Sequence, residues 1–305
     1  MLKAVVCGAR RARQGIGEYV CKYLHLAGVD ICGVVSSSPQ TKSITVEHLQ
    51  NKYGIMCRGY IDLEQAIISE DPDIVVICTP FRTHGAMLKT VAKYNKHCLC
   101  DKPLLWDDVQ DVEDILAGFS GKFVDTITQW PFTLENFFTL YPQVKEKPVE
   151  TFSMLMCPIS IGREMVLDAM PHVFSMLYSL VGKGDIKKTE CLFSEKEKCL
   201  QLEFVYGHQY ETKVKCTLIQ LEEQPKPAKY TINNYEVSRH VEASNYQIYF
   251  WGNGRKIKVV DPLQSLIQNF IHNIRNSNLS DTTKLINNMQ QLHCLYSIVQ
   301  QEVPL

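Results

Sequence analysis

The stretch KAVVCGARRARQGIG at residues 3–17 decides the fold. It begins with a short apolar run, continues through a turn that contains glycines, and leads into residues 17–26, where apolar positions follow helical spacing. This order predicts a strand, a turn and a helix. Apolar runs at 30–35 and 73–78 are also followed by helical segments. Because strands that alternate with helices form right-handed βαβ units, the chain is predicted to begin with a parallel sheet.

The alternation continues with strands expected at 97–100 and 122–128. We therefore expect a doubly wound α/β domain over residues 1–125. Beyond it a long apolar helix is predicted over 164–181, followed by strands that are joined by short turns. The second domain, residues 126–305, is expected to be α+β with a mostly antiparallel open sheet.

The composition is that of an ordinary globular chain without a strong charge. Its 305 residues are 45% hydrophobic, and 32 Lys and Arg against 33 Asp and Glu leave a formal net charge of −1. A near-neutral chain lacks the basic surface that binds nucleic acid or an anionic membrane, so we expect neither partner.

The cysteines and the opening residues bear on location and metal binding. The 12 cysteines are scattered, several within apolar runs, where a thiol behaves as a small hydrophobic residue. Cys98 and Cys100 have no second pair at the spacing of a zinc site, so no metal is expected. The opening apolar stretch is too short for a secretion signal or a membrane span, so we expect reduced thiols in the cytoplasm.

The turn after the first strand has the glycines of a dinucleotide-binding turn. Such a turn lets the backbone approach a pyrophosphate, whose charge then lies at a helix N-terminus. The spacing departs from G-x-G-x-x-G by an insertion between Gly8 and Gly15, and an ordinary glycine turn is the alternative. The candidate cofactor-binding residues of this turn are Gly8, Arg10, Arg11, Arg13, Gly15, Ile16 and Gly17.

Ser36, Ser37 and Ser38 follow the second predicted strand, at the position that usually distinguishes the two nicotinamide cofactors. An acidic residue there accepts hydrogen bonds from the adenosine ribose of NAD and would repel a 2′-phosphate. These serines and the arginines of the neighbouring loop favour the additional phosphate of NADP. Alternatively, the arginines simply form a solvated loop.

Three motifs lie downstream of the glycine turn. TPFRTH occupies 79–84, DKP occupies 101–103, and Asp168 and His172 form an Asp-x-x-x-His pair. In this order the motifs resemble those of the Gfo/Idh/MocA family of nicotinamide-dependent oxidoreductases. The resemblance covers most of the chain and implies a Rossmann-type cofactor domain followed by a substrate domain. The resemblance implies five further cofactor-binding residues, namely Thr79, Pro80, His84, Asp101 and Lys102.

The resemblance also implies catalytic roles for three side chains. Lys102 would lie beside the nicotinamide, where an ammonium can stabilise negative charge on a substrate oxygen. His172 would exchange a proton with the substrate, and Asp168 would orient His172 or the substrate. A helix would place Asp168 and His172 on one face, although Pro171 predicts either a kink or a helix that starts nearby. The alternative for His172 is a histidine that only packs within its helix.

The chain departs from the family's pattern at two positions. Asp101 stands where the family more often has Glu, and Ser175 where it often has a further Asp. The Ser175 departure puts the family's usual binding of a polyol substrate in doubt, and it leaves the proposed acid/base, His172, intact.

Four residues are candidate substrate contacts, namely Gln129, Trp130, Phe132 and Arg163. Trp130 and Phe132 would supply an apolar wall, and Gln129 a neutral hydrogen-bonding group. The alternative is that these aromatic residues form the core of an interface.

These observations lead to one main hypothesis and one alternative. We expect an NADP(H)-dependent oxidoreductase that transfers a hydride between the nicotinamide and a carbonyl, alcohol or imine carbon of a small molecule. The alternative is a catalytically silent NADP(H)-binding sensor or scaffold, because the glycine turn and Ser175 are unusual. We also expect a homodimer or homotetramer through the C-terminal sheet, to which Tyr210, Tyr246, Tyr249 and Trp251 could contribute.

Overall fold

The computed structural model describes residues 1–10, 15–106, 111–242 and 246–303. The chain divides into two compact units. The first unit comprises residues 1–127 and 263–285, and the second comprises residues 128–262 and 286–305. Among the described residues, no helix is both long and apolar enough to cross a bilayer.

The first unit is built on a sheet of parallel strands. Its strands are β1 (Lys3–Cys7), β2 (Asp30–Val35), β3 (Arg58–Tyr60), β4 (Ile74–Ile77), β5 (His97–Cys100) and β6 (Val124–Thr126). Its first helices are α1 (Gly17–Leu26), α2 (Pro39–Tyr53), α3 (Leu63–Glu70), α4 (His84–Lys93) and α5 (Val112–Ala117). The strand order is β3-β2-β1-β4-β5-β6, and neighbouring strands pair in parallel. The predicted doubly wound sheet is confirmed.

The central strands β1 and β4 are apolar from Ala4 to Cys7 and from Ile74 to Ile77, because both faces of the sheet are covered. Val5 of β1 and Val76 of β4 are both fully buried. The two strands are neighbours, with Cys7 paired to Ile77. The strand order reverses between them, and in such sheets ligands bind beyond the carboxyl ends of the strands at that point. The candidate cofactor residues directly follow these strand ends.

The second unit is built on a mostly antiparallel sheet, as predicted. Helices α6 (Leu134–Leu140) and α7 (Glu164–Val181) lie before or between its early strands. The strands are β7 (Thr151–Met156), β8 (Asp185–Ser194), β9 (Cys199–Gly207), β10 (Thr212–Ile219), β11 (Ala228–Ile232), β12 (Tyr235–Val241), β13 (Ile248–Gly252) and β14 (Arg255–Val259). The order is β14-β13-β12-β11-β7-β10-β9-β8, and among the described strand pairs of this second sheet only β7–β10 is parallel.

Aromatic side chains join the helices of the second unit to its sheet. The ring of Phe174 on α7 lies 6.0 Å from that of Phe204 on β9. Tyr230 on β11 is 1% exposed, and its ring stacks 5.5 Å from Phe137 on α6. These contacts place the predicted catalytic helix α7 firmly in the core of its unit.

The chain ends with helices α8 (Pro262–Arg275) and α9 (Thr282–Glu302), and α8 packs with the first unit. The ring of Phe270 lies 5.6 Å from that of Phe123, and the Ser280 hydroxyl accepts a hydrogen bond from the Val124 N–H at 2.6 Å. The sequence placed all residues after 125 in the second domain. The apolar face of α8 needs a surface to cover it, and the β6 side of the first unit supplies one.

Candidate active site

The glycine turn between β1 and α1 brings several backbone segments into close contact. Gly8 has a φ of +76°, and a Cβ there would lie 2.5 Å from the carbonyl oxygen of Cys78, which follows β4. A Cβ on Gly17 would overlap the carbonyl oxygen of Gly8. A side chain fits at neither position, so the close packing of a dinucleotide-binding turn explains both glycines.

The N-terminus of α1 offers amide groups to an anion. Its N-cap is Ile16, whose side chain has no atom that could accept a hydrogen bond from the first-turn amides. Helix N-termini of this kind bind phosphate groups. Arg10 is exposed near this turn, whereas Arg11 and Arg13 lie outside the described residues.

The three serines after β2 have different surroundings. Ser38 is the N-cap of α2, and its hydroxyl accepts a hydrogen bond from the Thr41 N–H at 3.2 Å. Ser37 is exposed and Ser36 is half-buried. The first turn of α2 contains no acidic residue, and Lys42 follows one turn after Ser38. Sequence reasoning did not single out Lys42, although its position four residues after Ser38 on a helix was the available signal.

Thr79 and Pro80 follow β4 in a compact turn that leads into α4. The hydroxyl oxygens of Thr79 and Thr83 are 2.7 Å apart, and Thr83 also donates to the carbonyl oxygen of Pro80 at 2.8 Å. Pro80 is exposed and Thr79 is half-buried. Both residues therefore present surface at the carboxyl end of the strand.

His84, the last residue of the TPFRTH motif, is fully buried. Its Nδ1 lies 2.8 Å from the carbonyl oxygen of Pro103, and its Nε2 lies 2.8 Å from that of Thr79. Because both ring nitrogens face backbone carbonyls, no polar atom of the ring remains for a cofactor. The ring thereby joins the turns after β4 and β5.

Lys102 stands in the turn after β5, and its peptide bond to Pro103 is cis. The Lys102 N–H donates to Oδ1 of Asp101 at 2.8 Å, while the Asp101 N–H donates to the carbonyl oxygen of Ile77 at 2.7 Å. Lys102 is half-buried. Asp101 and His84 thus hold, from opposite ends, the short turn that carries Lys102.

Asp168 and His172 lie on the continuous helix α7, which also contains Pro171. Their separation of four residues places both on one face of the helix. His172 is 9% exposed and Asp168 is half-buried. Ser175 is fully buried, and its hydroxyl donates to the carbonyl oxygen of His172 at 2.8 Å. The Ser175 hydroxyl is therefore used in a hydrogen bond within its own helix.

Asp168 also anchors the segment between β7 and α7. Its Oδ2 accepts hydrogen bonds from the Ile159 N–H at 2.8 Å and the Ser160 hydroxyl at 3.3 Å. The carbonyl oxygen of Ile159 in turn accepts from the Gln220 side chain at 3.2 Å. One carboxylate oxygen is thus used to shape the backbone beside the helix, a role that sequence reasoning missed because the partners include a main-chain group.

Trp130 is packed as a core residue of the second unit. It is 5% exposed, and its ring meets that of Tyr230 edge to face at 6.1 Å. Gln129 and Phe132 are half-buried and keep some exposed surface. Of these three residues, Trp130 is therefore the one that is packed as a core residue.

Arg163 immediately precedes α7 and lies beside Tyr296 of α9. Burial raises the pKa of Tyr296, with Glu164 in the same direction, while Arg163 acts in the opposite direction. The Tyr296 hydroxyl donates to Glu164 at 3.1 Å. Arg163 therefore faces a polar group of its own unit at the start of the predicted catalytic helix.

A doubly wound parallel sheet with a glycine turn at its switch point is the arrangement of a dinucleotide-binding domain. Residues 2–122 match the GFO_IDH_MocA model, described as an oxidoreductase family with an NAD-binding Rossmann fold. The residues that match this family model are those of the N-terminal domain, and they make up less than half of the chain. No curated protein sequence is significantly similar to the chain.

Several solved structures share the fold over the full length of the chain. The UDP-N-acetylglucosamine 3-dehydrogenase GnnA from Acidithiobacillus ferrooxidans is 15% identical, with a TM-score of 0.72 and 98% of each chain covered. A levoglucosan dehydrogenase solved with NADH and levoglucosan is 10% identical, with a TM-score of 0.74, and covers 99% of this chain and 98% of its own. The myo-inositol 2-dehydrogenase from Lactobacillus plantarum is 12% identical, with a TM-score of 0.71 and coverages of 98% and 96%. At such low sequence identities, the structural similarity shows the fold alone.

Proposed function

We propose that the chain is an NADP(H)-dependent oxidoreductase that transfers a hydride between the nicotinamide and a carbonyl, alcohol or imine carbon of a small molecule. The observation that carries this proposal is the turn of Lys102, held by Asp101 and His84 at the carboxyl edge of the parallel sheet. Such fixed placement lets an ammonium stabilise charge that develops on a substrate oxygen or nitrogen.

The cofactor-binding residues proposed here are those of the glycine turn and of the turns after β2, β4 and β5. A pyrophosphate would lie against the amides of the α1 N-terminus, beside Gly17 and Ile16. The preference for NADP is supported by the exposed Ser37 and by Lys42 in the acid-free first turn of α2. A lysine and hydroxyl groups suit a 2′-phosphate, whereas NAD-specific sites commonly have a carboxylate there.

The proton chemistry is assigned to the second unit. When bound, the nicotinamide supplies or accepts the hydride. His172 donates a proton to the substrate heteroatom during reduction and accepts it during oxidation, which suits an imidazole near neutral pH. Asp168 orients His172 or the substrate, and its bonds to Ile159 and Ser160 fix the adjoining backbone.

The first experiment is a titration with NADPH and with NADH, followed by nicotinamide fluorescence. We expect tighter binding of NADPH. Tighter binding of NADH would contradict the proposed preference and leave the oxidoreductase assignment intact. Binding of neither would contradict the assignment of the glycine turn.

The second experiment tests Lys102 with a panel of carbonyl, alcohol and imine substrates. We expect Lys102→Met to lower kcat by about 10²–10³-fold, because a preorganised charge-stabilising group is lost. NADPH affinity should stay within a few-fold of the wild type. The matched control is Lys93→Met, because Lys93 is an exposed lysine of the same unit, with 66% of its side chain accessible.

The same experiment separates the enzyme from a silent sensor or scaffold. A sensor would bind NADPH, turn over no substrate of the panel, and show the same ligand response after Lys102→Met. An enzyme would lose turnover while keeping its cofactor.

We further propose that a second copy of the chain covers the outer face of the C-terminal sheet, giving a homodimer or homotetramer. Large side chains on this unit support the proposal, since Tyr210 is 83%, Tyr246 66% and Trp251 51% exposed. Sedimentation of the wild type and of Trp251→Glu tests it, because a charge should disrupt such a contact.

A cytoplasmic location agrees with the free thiols of all 12 cysteines.

A further inference from the structure

Arg239 occupies a position on β12 where the strand pattern calls for an apolar residue. Val237, two residues earlier and thus on the same face, is 1% exposed. In the sheet, Arg239 pairs with Ala228 on one side and Phe250 on the other, and these are 6% and 1% exposed. The Arg239 side chain therefore starts from the buried face of the sheet.

The charge of Arg239 is only partly compensated. Its guanidinium carbon lies 5.6 Å from the centre of the Trp130 ring, and Nη2 donates to the carbonyl oxygen of Lys226 at 3.2 Å. Within the described part of the chain, Nε is buried without an acceptor, and Arg239 forms no ion pair. Burial lowers the pKa of Arg239, while Asp261 acts in the opposite direction. Burying such a cation is costly, so its retention needs an explanation.

A second cation lies on the same side of this unit. The Lys226 ammonium donates to the carbonyl oxygen of Pro158 at 3.1 Å, which leaves further N–H groups for another acceptor. Burial raises the pKa of the Cys157 thiol, and both Lys226 and Arg239 act in the opposite direction. Both cations thus act electrostatically on Cys157, at which the 157–160 segment begins.

The 157–160 segment links these cations to the proposed catalytic helix. Asp168 on α7 holds Ile159 and Ser160, while Lys226 holds Pro158. A ligand group beside Arg239 would therefore lie against a segment that Asp168 already positions.

We propose that Arg239 and Lys226 form a subsite for an anionic group of the substrate, a carboxylate or a phosphate. A guanidinium and an ammonium together suit such oxygens, and the Trp130 ring gives the site an apolar wall. The proposal rests on the proposed function only in naming the anion as part of a substrate. In this reading the enzyme acts on a hydroxy, oxo or imino compound that carries a negative charge.

The test is calorimetric titration of the cofactor-free protein with malonate, with inorganic phosphate and with neutral glycerol, at fixed ionic strength. The variants are Arg239→Met, which keeps the length of the stem, and Arg255→Met, which removes an exposed arginine from the same sheet. We expect binding of malonate or phosphate, and none of glycerol. Arg239→Met should weaken that binding by about tenfold or more, as for loss of a charge-assisted contact, and Arg255→Met should leave it unchanged.

The malonate and phosphate arms decide which oxyanion the subsite prefers. Phosphate could also bind the glycine turn, so only the portion of binding that Arg239→Met removes is assigned to the subsite. No binding of either anion to the wild type, or equal binding to Arg239→Met, would overturn the proposal. If Arg239→Met does not fold, Lys226→Met replaces it, with a several-fold loss expected and an unchanged affinity as the opposing result.

A separate NADPH titration distinguishes this proposal from the proposed function. Arg239→Met should bind NADPH as the wild type does, because Arg239 is not among the residues of the cofactor turns. If the wild type bound malonate through Arg239 and no nicotinamide cofactor, the anion subsite would stand and the oxidoreductase assignment would fail.

Discussion

The buried ring of His84 holds the carbonyl oxygen of Pro103 at 2.8 Å from Nδ1, while its Nε2 lies equally far from that of Thr79. Pro103 directly follows Lys102, and Thr79 is the second residue after β4. A carbonyl oxygen only accepts hydrogen bonds and a neutral imidazole has one N–H, so such a ring donates to one of these two carbonyl groups. His84 is accordingly a positioning residue for the lysine turn.

Replacing His84 tests this positioning role. His84→Phe keeps a ring but removes the ring N–H that reaches these buried carbonyl groups, which should cost about 1–3 kcal/mol of unfolding free energy. We expect kcat to fall about tenfold or more while the KM for NADPH changes less, because the displaced group is Lys102. Urea unfolding and steady-state kinetics measure the two effects.

His84→Gln provides the comparison, since its amide can restore one donor. It should recover part of both losses. An unchanged kcat in a folded His84→Phe would show that the ring only stabilises the domain.

The structure shows which features a single sequence can reveal. The strands of the first unit were recognisable where continuous apolar runs are buried on both faces, as in β1 and β4. β3 was missed because its three residues, Arg58–Tyr60, have no such run and pair only at the sheet edge. β12 is hard to recognise in the sequence because Arg239 interrupts its apolar alternation.

The candidate site shows the same limit. Lys102 and His172 were identified through motifs, whereas the work of His84 and Asp168 depends on backbone groups of distant residues. Main-chain partners leave no residue-type signal, so only the folded chain shows them.

Glu18 joins α1 to α2, and its carboxylate should stabilise the first unit fully at pH values above about 4.5. Its side chain is 4% exposed, and Oε1 accepts from the Lys52 ammonium at 2.6 Å and the Tyr53 hydroxyl at 2.7 Å. Burial opposes ionisation, but bonds from Lys52, Tyr53 and His48 outweigh it and lower the pKa of Glu18 to about 2. The carboxylate is thus favoured in the folded state, and this stability is lost as pH falls from about 4.5 towards 2.

Glu18→Gln should cost about 2–3 kcal/mol in urea unfolding at neutral pH, with a smaller difference at low pH. Glu64 is the matched control, because its Oε1 makes the same pair of contacts, to Lys93 and Tyr94, both at 2.6 Å. Its side chain is 44% exposed, so Glu64→Gln should have little effect. Equal losses for the two variants would contradict the role of burial.

His97 predicts a second, milder range of acid sensitivity. Its Nδ1 accepts a hydrogen bond from the Phe123 N–H at 2.8 Å, which requires that nitrogen to be unprotonated. Burial, and then Lys122, lower the pKa of His97 to about 4. The unfolded chain binds this proton below about 6.5 and the folded chain only near 4, so stability should fall across that interval.

We expect this loss to be about 1–2 kcal/mol between pH 6.5 and 4, reduced by the partial exposure of the ring. His97→Asn keeps an acceptor and does not titrate, so its unfolding free energy should vary less over the same interval. His25→Asn, at an exposed histidine, should retain the wild-type pH dependence. Parallel curves for the wild type and His97→Asn would exclude His97 as the source.

Gly8 and Gly28 allow the cost of backbone conformation to be separated from the cost of close packing. Both have a φ of +76°, but a Cβ on Gly28 meets nothing within 4 Å, whereas one on Gly8 lies 2.5 Å from the Cys78 carbonyl oxygen. Gly28→Ala should therefore cost only about 1 kcal/mol for the left-handed conformation, with unchanged NADPH affinity. Gly8→Ala must also push β4 away from the glycine turn, so it should destabilise the protein further and weaken NADPH binding by tenfold or more, on the order of 1.4 kcal/mol. Urea unfolding and cofactor titration of both variants measure these effects, and equal NADPH affinities would show that the cofactor does not depend on this turn.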